Sequence, residues 1–301
     1  FRDQTAQLAP DLTQPGMVTD AAWADLDGDN KDELIVVGEW MPVLIMGLEN
    51  GKLTNLTRRY LEKDYRGWWN KLLADDLNGD GRADLVLGNQ GLNTQCRASD
   101  KLPAELYYKD FDDNGSVDPI FCFAIQGKMY PYVTRDELLD QMSMMRTRYP
   151  DYASYADATM NDIFTDEERN GMIRLEANCL KTTLFLNKNG KLTEANLPIE
   201  AQTSPIHTLT VLDHNGDGKK DLLLCGNVNR ARLRFGKSDA NYGLLLTGDG
   251  RGGFSAVPQR RSGFWLTGDV RSVLPVGNTL FFGVNQQPVR AYRGRQTSRP
   301  L

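Results

Sequence analysis

Histidine is scarce: His207 and His214 are the only two in 301 residues. Two histidines exclude a three-His zinc site. A Ser-His-Asp triad would have to use one of them, and no G-x-S-x-G elbow seats a serine. The four cysteines, Cys96, Cys122, Cys179 and Cys225, show no C-x-x-C spacing, which argues against structural zinc and thioredoxin-type chemistry. Cys122 in Phe-Cys-Phe and Cys225 after three leucines read as small core hydrophobes, and a Cys96–Cys179 bridge stays open. Basic residues form no block and the net charge is −5, so nucleic acid is not an expected partner. The longest apolar stretch, Leu34 to Leu48, is broken by Glu39 and Pro42 and falls short of the roughly 18 residues a membrane span requires. The chain opens on Phe1, with no signal peptide or lipidation motif, and so reads as processed or as a piece of something longer.

Acid is plentiful, and it is patterned. Four segments repeat one nine-residue arrangement of oxygen side chains at positions 1, 3, 5 and 9. They are Asp25, Asp27, Asp29 and Glu33; Asp76, Asn78, Asp80 and Asp84; Asp110, Asp112, Asn114 and Asp118; and Asp213, Asn215, Asp217 and Asp221. Position 6 is Asn30, Gly81, Gly115 or Gly218, residues that tolerate the positive φ a sharp turn needs. Hard oxygen ligands on alternate residues suit a cation that takes six to eight oxygens at about 2.3–2.6 Å, which describes calcium better than magnesium. The carbonyls at position 7 (Lys31, Arg82, Ser116 and Lys219) are expected to complete each shell, giving up to four Ca²⁺. Position 12 is Val36, Leu87, Phe121 or Leu224 rather than the Glu of an EF-hand, and each lies in an apolar run that reads as a strand.

A second pattern follows the loops. Val43–Met46, Thr183–Asn187 and Gly243–Thr247 each precede a Gly-containing turn and another strand, and Asn50-Gly51 and Asn189-Gly190 are strong hairpin signals. Each unit is then two hairpins, or four strands. Loop starts 51 residues apart, at Asp25 and Asp76, set a period near 50. Radially repeated four-stranded sheets of that length describe an all-β propeller, with about four to five blades in one domain over residues 1–301. Residues 134–178 depart from this with helical spacing and capping boxes at Thr134/Glu137 and Thr165/Glu168, and read as a helical insertion docked by Tyr149, Tyr152, Tyr155 and Phe164. Phe1–Leu8 resembles Leu53–Tyr60, so the chain is expected to open on the last strand of a truncated blade.

The loop-and-strand motif resembles the FG-GAP or VCBS repeat family, the calcium-loop propellers that include the integrin alpha-subunit head. Gly38-Glu-Trp40, Gly88–Asn93 and the Arg-Asp-Glu-Leu-Leu and Tyr-Ala-Ser-Tyr-Ala segments resemble the C-terminal propeller of large secreted or surface-anchored bacterial VCBS-repeat proteins. That resemblance implies seven blades, with about three upstream of Phe1, and an extracellular or cell-surface location. Glu33 and Asn30 depart from the family pattern at positions 9 and 6 of the first loop.

The functional expectation is a non-catalytic calcium-binding scaffold with a protein or glycan partner on one face. The alternative is a calcium-dependent polysaccharide lyase, which would need a base beside an open calcium, and no cluster of bases is visible. Gly248–Gly253 satisfies G-x-G-x-x-G but leads into a strand, so it reads as a hairpin turn and not a dinucleotide site. Trp40, Trp68 and Trp69 read as core in preference to a sugar platform. Thirteen of the 40 acidic residues stand at the ligand positions of the four loops, so the chain's net acidity is largely a property of its cation sites.

Overall fold

In a computed structural model, which describes residues 1–232 and 234–294, the chain is mostly β and divides into two compact units. One takes residues 1–64, 68–94 and 180–301; the other takes 65–67 and 95–179.

The first unit holds a series of antiparallel sheets. One is ordered Met17–Ala24, Glu33–Pro42, Leu44–Glu49, Lys52–Asn55. A second is begun by Lys71–Asp75 and Asp84–Gly88 and completed, after the excursion through residues 95–179, by Thr183–Asn187 and Leu192–Ala195. The third is Ile206–Leu212, Asp221–Gly226, Leu244–Gly248 and Phe254–Ala256, and the fourth has three strands, Val270–Val276, Thr279–Val284 and Arg290–Arg293. The expected four-strand pattern is therefore met in contiguous sequence by the third sheet, while the first runs through four consecutive strands but is five-stranded in all. In the second it is split by the inserted unit.

Continuous apolar runs form these strands because both faces of a sheet can be covered. Leu222, Leu224 and Leu246 of the third sheet pack with Val86 and Leu184 of the second, while Leu223, Cys225 and Leu245 pack with Val270 and Phe282 of the fourth. Burying each such leucine side chain contributes roughly 1.5–3 kcal/mol. The hairpins follow the turn chemistry: Asn50 and Gly51 have φ of 51° and 77°, and Asn189 and Gly190 have 54° and 78°.

The second unit has its own sheet, ordered Lys128–Pro131, Asp118–Ile125, Ala104–Lys109, Ile173–Ala177. Short helices, from Arg135–Gln141 to Asp166–Arg169, lie in sequence between two of its strands, Lys128–Pro131 and Ile173–Ala177. Both expected capping boxes form, and a third joins Thr159 to Asp162. Phe111, Ile120 and Cys122 of the sheet segment share a core with Leu138, Met142, Met145, Ile163 and Phe164, and the Phe111 and Phe164 rings stack at 3.9 Å. Tyr149 and Phe164 are buried in that core. Tyr152 is 61% exposed, with Arg135 over its ring, so it does not dock the helices as expected.

Two segments differ from the sequence reading. Ile173–Ala177, placed at the end of the helical stretch, is a strand, because Ile-Arg-Leu-Glu-Ala alternates with the period of two that a sheet edge favours. Thr5–Leu8, read as a strand, is a helical turn, as is its sequence counterpart Thr57–Tyr60. In each case an Asx side chain two residues back sets the turn: Asp3 Oδ1 accepts the Thr5 N–H at 2.8 Å and Asn55 Oδ1 the Thr57 N–H at 3.0 Å.

Candidate metal centres

All four acidic loops fold on one hydrogen-bond template. The position 1 carboxylate turns back to accept backbone N–H groups from positions 4 to 6. Asp76 takes those of Gly79, Asp80 and Gly81 at 2.8–3.1 Å, and Asp213 those of Gly216, Asp217 and Gly218 at 2.7–3.2 Å. Asp25 takes Gly28 and Asn30, and Asp110 takes Asn114 and Gly115. The position 5 side chain accepts the N–H of position 7, pairing Asp29 with Lys31, Asp80 with Arg82, Asn114 with Ser116 and Asp217 with Lys219. Position 6 has positive φ in every loop: 64° at Asn30, 85° at Gly81, 87° at Gly115 and 78° at Gly218.

The position 9 carboxylate is buried each time and accepts the N–H of position 2. Glu33 holds Leu26, Asp84 holds Leu77, Asp118 holds Phe111 and Asp221 holds His214, at 2.9–3.0 Å. Position 2 is a core side chain in three loops, Leu26, Leu77 and Phe111, which anchors the turn in the apolar interior. In the fourth it is His214, whose Nδ1 lies 2.7 Å from Asp221 Oδ2.

Burial works against three of these acids, Glu33, Asp84 and Asp118. It is the main cause pushing Asp84 up to about 6, helped by the charges of Asp80 and Asp76. Glu33 and Asp118 are raised chiefly by burial too, with Asp27 and Asp25, or Asp112 and Asp110, adding repulsion. Asp213, which is exposed, is lowered instead, first by the Gly218 N–H. Carboxylates crowded together and partly desolvated fit a divalent cation, whose charge reverses that repulsion.

The loops are not equivalent. Among the described residues, two carboxylate trios bring one oxygen each within 4.8 Å of the others: Asp25, Asp27 and Asp29, and Asp110, Asp112 and Asp118. In the loops at 76–84 and 213–221 an asparagine fills position 3, its amide 3.3 or 3.2 Å from the position 5 carboxylate. Asp112 Oδ1 is buried with no hydrogen-bond donor, an acceptor free to meet a cation. Asp27, the corresponding residue of the first loop, already receives the Arg59 guanidinium at 2.7 Å and the Tyr60 hydroxyl at 3.4 Å.

Sequence reading did not find Arg59 or Tyr60 beside the first loop. Both lie more than 30 positions from Asp27 and carry no motif of their own. Trp69 is fully buried, while Trp40 and Trp68 are half-buried with ring centroids 5.2 Å apart. Gly248–Gly253 joins two strands of the third sheet, so the hairpin reading holds.

Residues 25–87, which span the first two acidic loops and the strands between them, match the FG-GAP-like repeat. No curated protein matches the chain significantly. No helix among the described residues is long and apolar enough to cross a membrane.

Proposed function

We propose that this chain is a β-propeller-type interaction domain, working outside the cell, whose acidic loops hold calcium and which carries out no reaction of its own. The observation that supports this reading best is Asp112 Oδ1, a buried, donorless carboxylate oxygen inside a trio of converging acids. Repetition of one loop template at four places, with a match to the FG-GAP-like repeat over two of them, extends the reading to the other loops. Domains of such repeats are typically non-catalytic and occur in extracellular proteins.

The ligands would be the side chains at positions 1, 3, 5 and 9, with the carbonyls of Lys31, Arg82, Ser116 and Lys219. Bound calcium supplies positive charge that offsets the mutual repulsion of the acids. The chain's own groups do the positioning: position 1 folds the loop back on itself, and position 9 ties it to the strand that follows. At an affinity of about 10⁻⁴ M and calcium near 1 mM, each site adds roughly 1.4 kcal/mol of stability. Such sites fill at extracellular and not at cytosolic calcium. Titration calorimetry of chelator-treated protein, paired with thermal melts, tests this. Calcium uptake with a higher melting temperature is expected, and absence of both overturns the reading.

A further inference from the structure

The third sheet separates charge along its strands. Its acidic loop, 213–221, lies at one end. The two connections at the other end, 227–243 and 257–269, carry most of the basic residues nearby. Arg230, Arg232 and Lys237 are exposed on the first, and Arg260 and Arg261 on the second, with Arg271 exposed just beyond it. The only acids in these stretches are Asp239 and Asp269, and Asp269 is buried and accepts the Asn229 N–H at 2.8 Å. In a chain whose net charge is −5, this end is a local cationic surface.

An aromatic platform lies within it. The Trp265 ring is 63% exposed and stacks on Tyr242 at 4.6 Å and 18°, so one face is held against a partner ring. Its backbone is fixed as well: the Trp265 carbonyl accepts the Tyr292 hydroxyl at 3.0 Å, and the Leu266 N–H reaches the Tyr242 carbonyl at 3.1 Å. The connections are tied to each other, since Arg271 donates to the Asn227 carbonyl at 2.9 Å and Asn227 to the Gly268 carbonyl at 3.1 Å. The platform is thus pre-organised, which lowers the entropy cost of binding.

We infer that this end of the third sheet binds an acidic polysaccharide, one pyranose ring lying on Trp265 and its anionic groups meeting the surrounding arginines. A flat indole matches the C–H face of a pyranose, and guanidinium groups pair with carboxylate or sulfate in a fixed fork. The inference names the partner class for the interaction-domain reading and rests on it, but uses none of the calcium residues.

Binding to dextran sulfate, uncharged dextran, poly-L-glutamate and a single-stranded oligonucleotide, followed by affinity electrophoresis and tryptophan fluorescence, tests it. Dextran sulfate is expected to bind at least tenfold tighter than dextran, which lacks the charge, and than poly-L-glutamate, which lacks the ring, and to weaken with salt. Trp265→Ala and the Arg260→Ala/Arg261→Ala pair should each lower that affinity at least tenfold, with Trp265→Phe intermediate and melting temperatures unchanged. Equal binding of poly-L-glutamate, tighter binding of the oligonucleotide, unaffected variants or no binding of dextran sulfate would each overturn it. Loss of the calcium-induced rise in melting temperature with glycan binding intact would count against the calcium reading alone.

Discussion

Asp84 Oδ1 accepts the backbone N–H of Asn187 at 2.7 Å, across 103 residues of chain. Its other oxygen holds Leu77 within the loop, so one buried carboxylate joins the acidic loop to the next strand of the sheet. Asp221 repeats this in the third sheet, where Oδ1 takes the Gly248 N–H at 2.9 Å and Oδ2 that of His214. In these two loops position 9 is therefore a strand-to-strand latch, whatever it also contributes to a cation.

That double role separates two variants. Asp84→Ala leaves two buried N–H groups without acceptors and should cost about 2–4 kcal/mol even in chelator. Asp80→Ala removes an exposed side chain and should cost well under 1 kcal/mol in chelator, its penalty emerging only with calcium present. Urea unfolding with and without calcium checks both, and equal losses in chelator would refute the latch.

Calcium stoichiometry should respond differently at the first and third-encountered loops, 25–33 and 110–118. Asp112→Asn weakens the site with the donorless oxygen and should remove one binding equivalent in calorimetry. Arg59→Ala removes a cation that already pairs with Asp27. It should keep the stoichiometry and tighten the first-loop site about two- to fivefold, the range expected from a pair whose guanidinium is exposed.

Loop geometry was legible in sequence because it is local. Side chains on alternate residues, a Gly or Asn at the turn and an apolar strand after it all fall within about a dozen positions, and the positive φ values at Asn30, Gly81, Gly115 and Gly218 follow from them. Pairing across distance was not legible. Nothing in Asp84-Leu-Val-Leu indicates that its sheet is completed by Thr183–Asn187, because the strands' apolar surfaces are chemically alike and loop closure costs little more for a long insertion than a short one. The Thr159/Asp162 box escaped notice because Asp replaces the usual Glu or Gln, although it reaches the same backbone N–H at 2.8 Å.

His207 supplies a pH dependence. Burial lowers its pKa to about 4, with the nearby Arg271 charge adding to the effect, and Nε2 has no hydrogen-bond partner. The folded state therefore favours the neutral ring, while the unfolded chain takes up a proton near pH 6.5. Stability from this group is complete above about 6.5 and is lost as pH falls toward 4, a change of about 3 kcal/mol. His207→Leu should flatten the slope of unfolding free energy over that window. An unchanged slope would show that other groups carry it.

In the second unit, Glu168 and Arg148 form a bidentate pair, Nη1 to Oε2 at 3.0 Å and Nη2 to Oε1 at 2.9 Å. The pair lowers the Glu168 pKa to about 2, chiefly through the Arg148 hydrogen bonds. A depressed carboxylate stabilises the fold above its unfolded pKa, near 4.5, and the contribution is lost as pH falls toward 2. Glu168 also closes the Thr165 capping box, a role glutamine can fill, so Glu168→Gln removes charge while retaining the cap. Because the carboxylate is about a quarter exposed, the expected loss at pH 7 is about 1–2 kcal/mol, less than the full shift implies. The gap between wild type and Glu168→Gln should narrow steadily from pH 5 to pH 3. A gap that does not narrow between pH 5 and pH 3 would assign the loss to packing or capping, not to the ion pair.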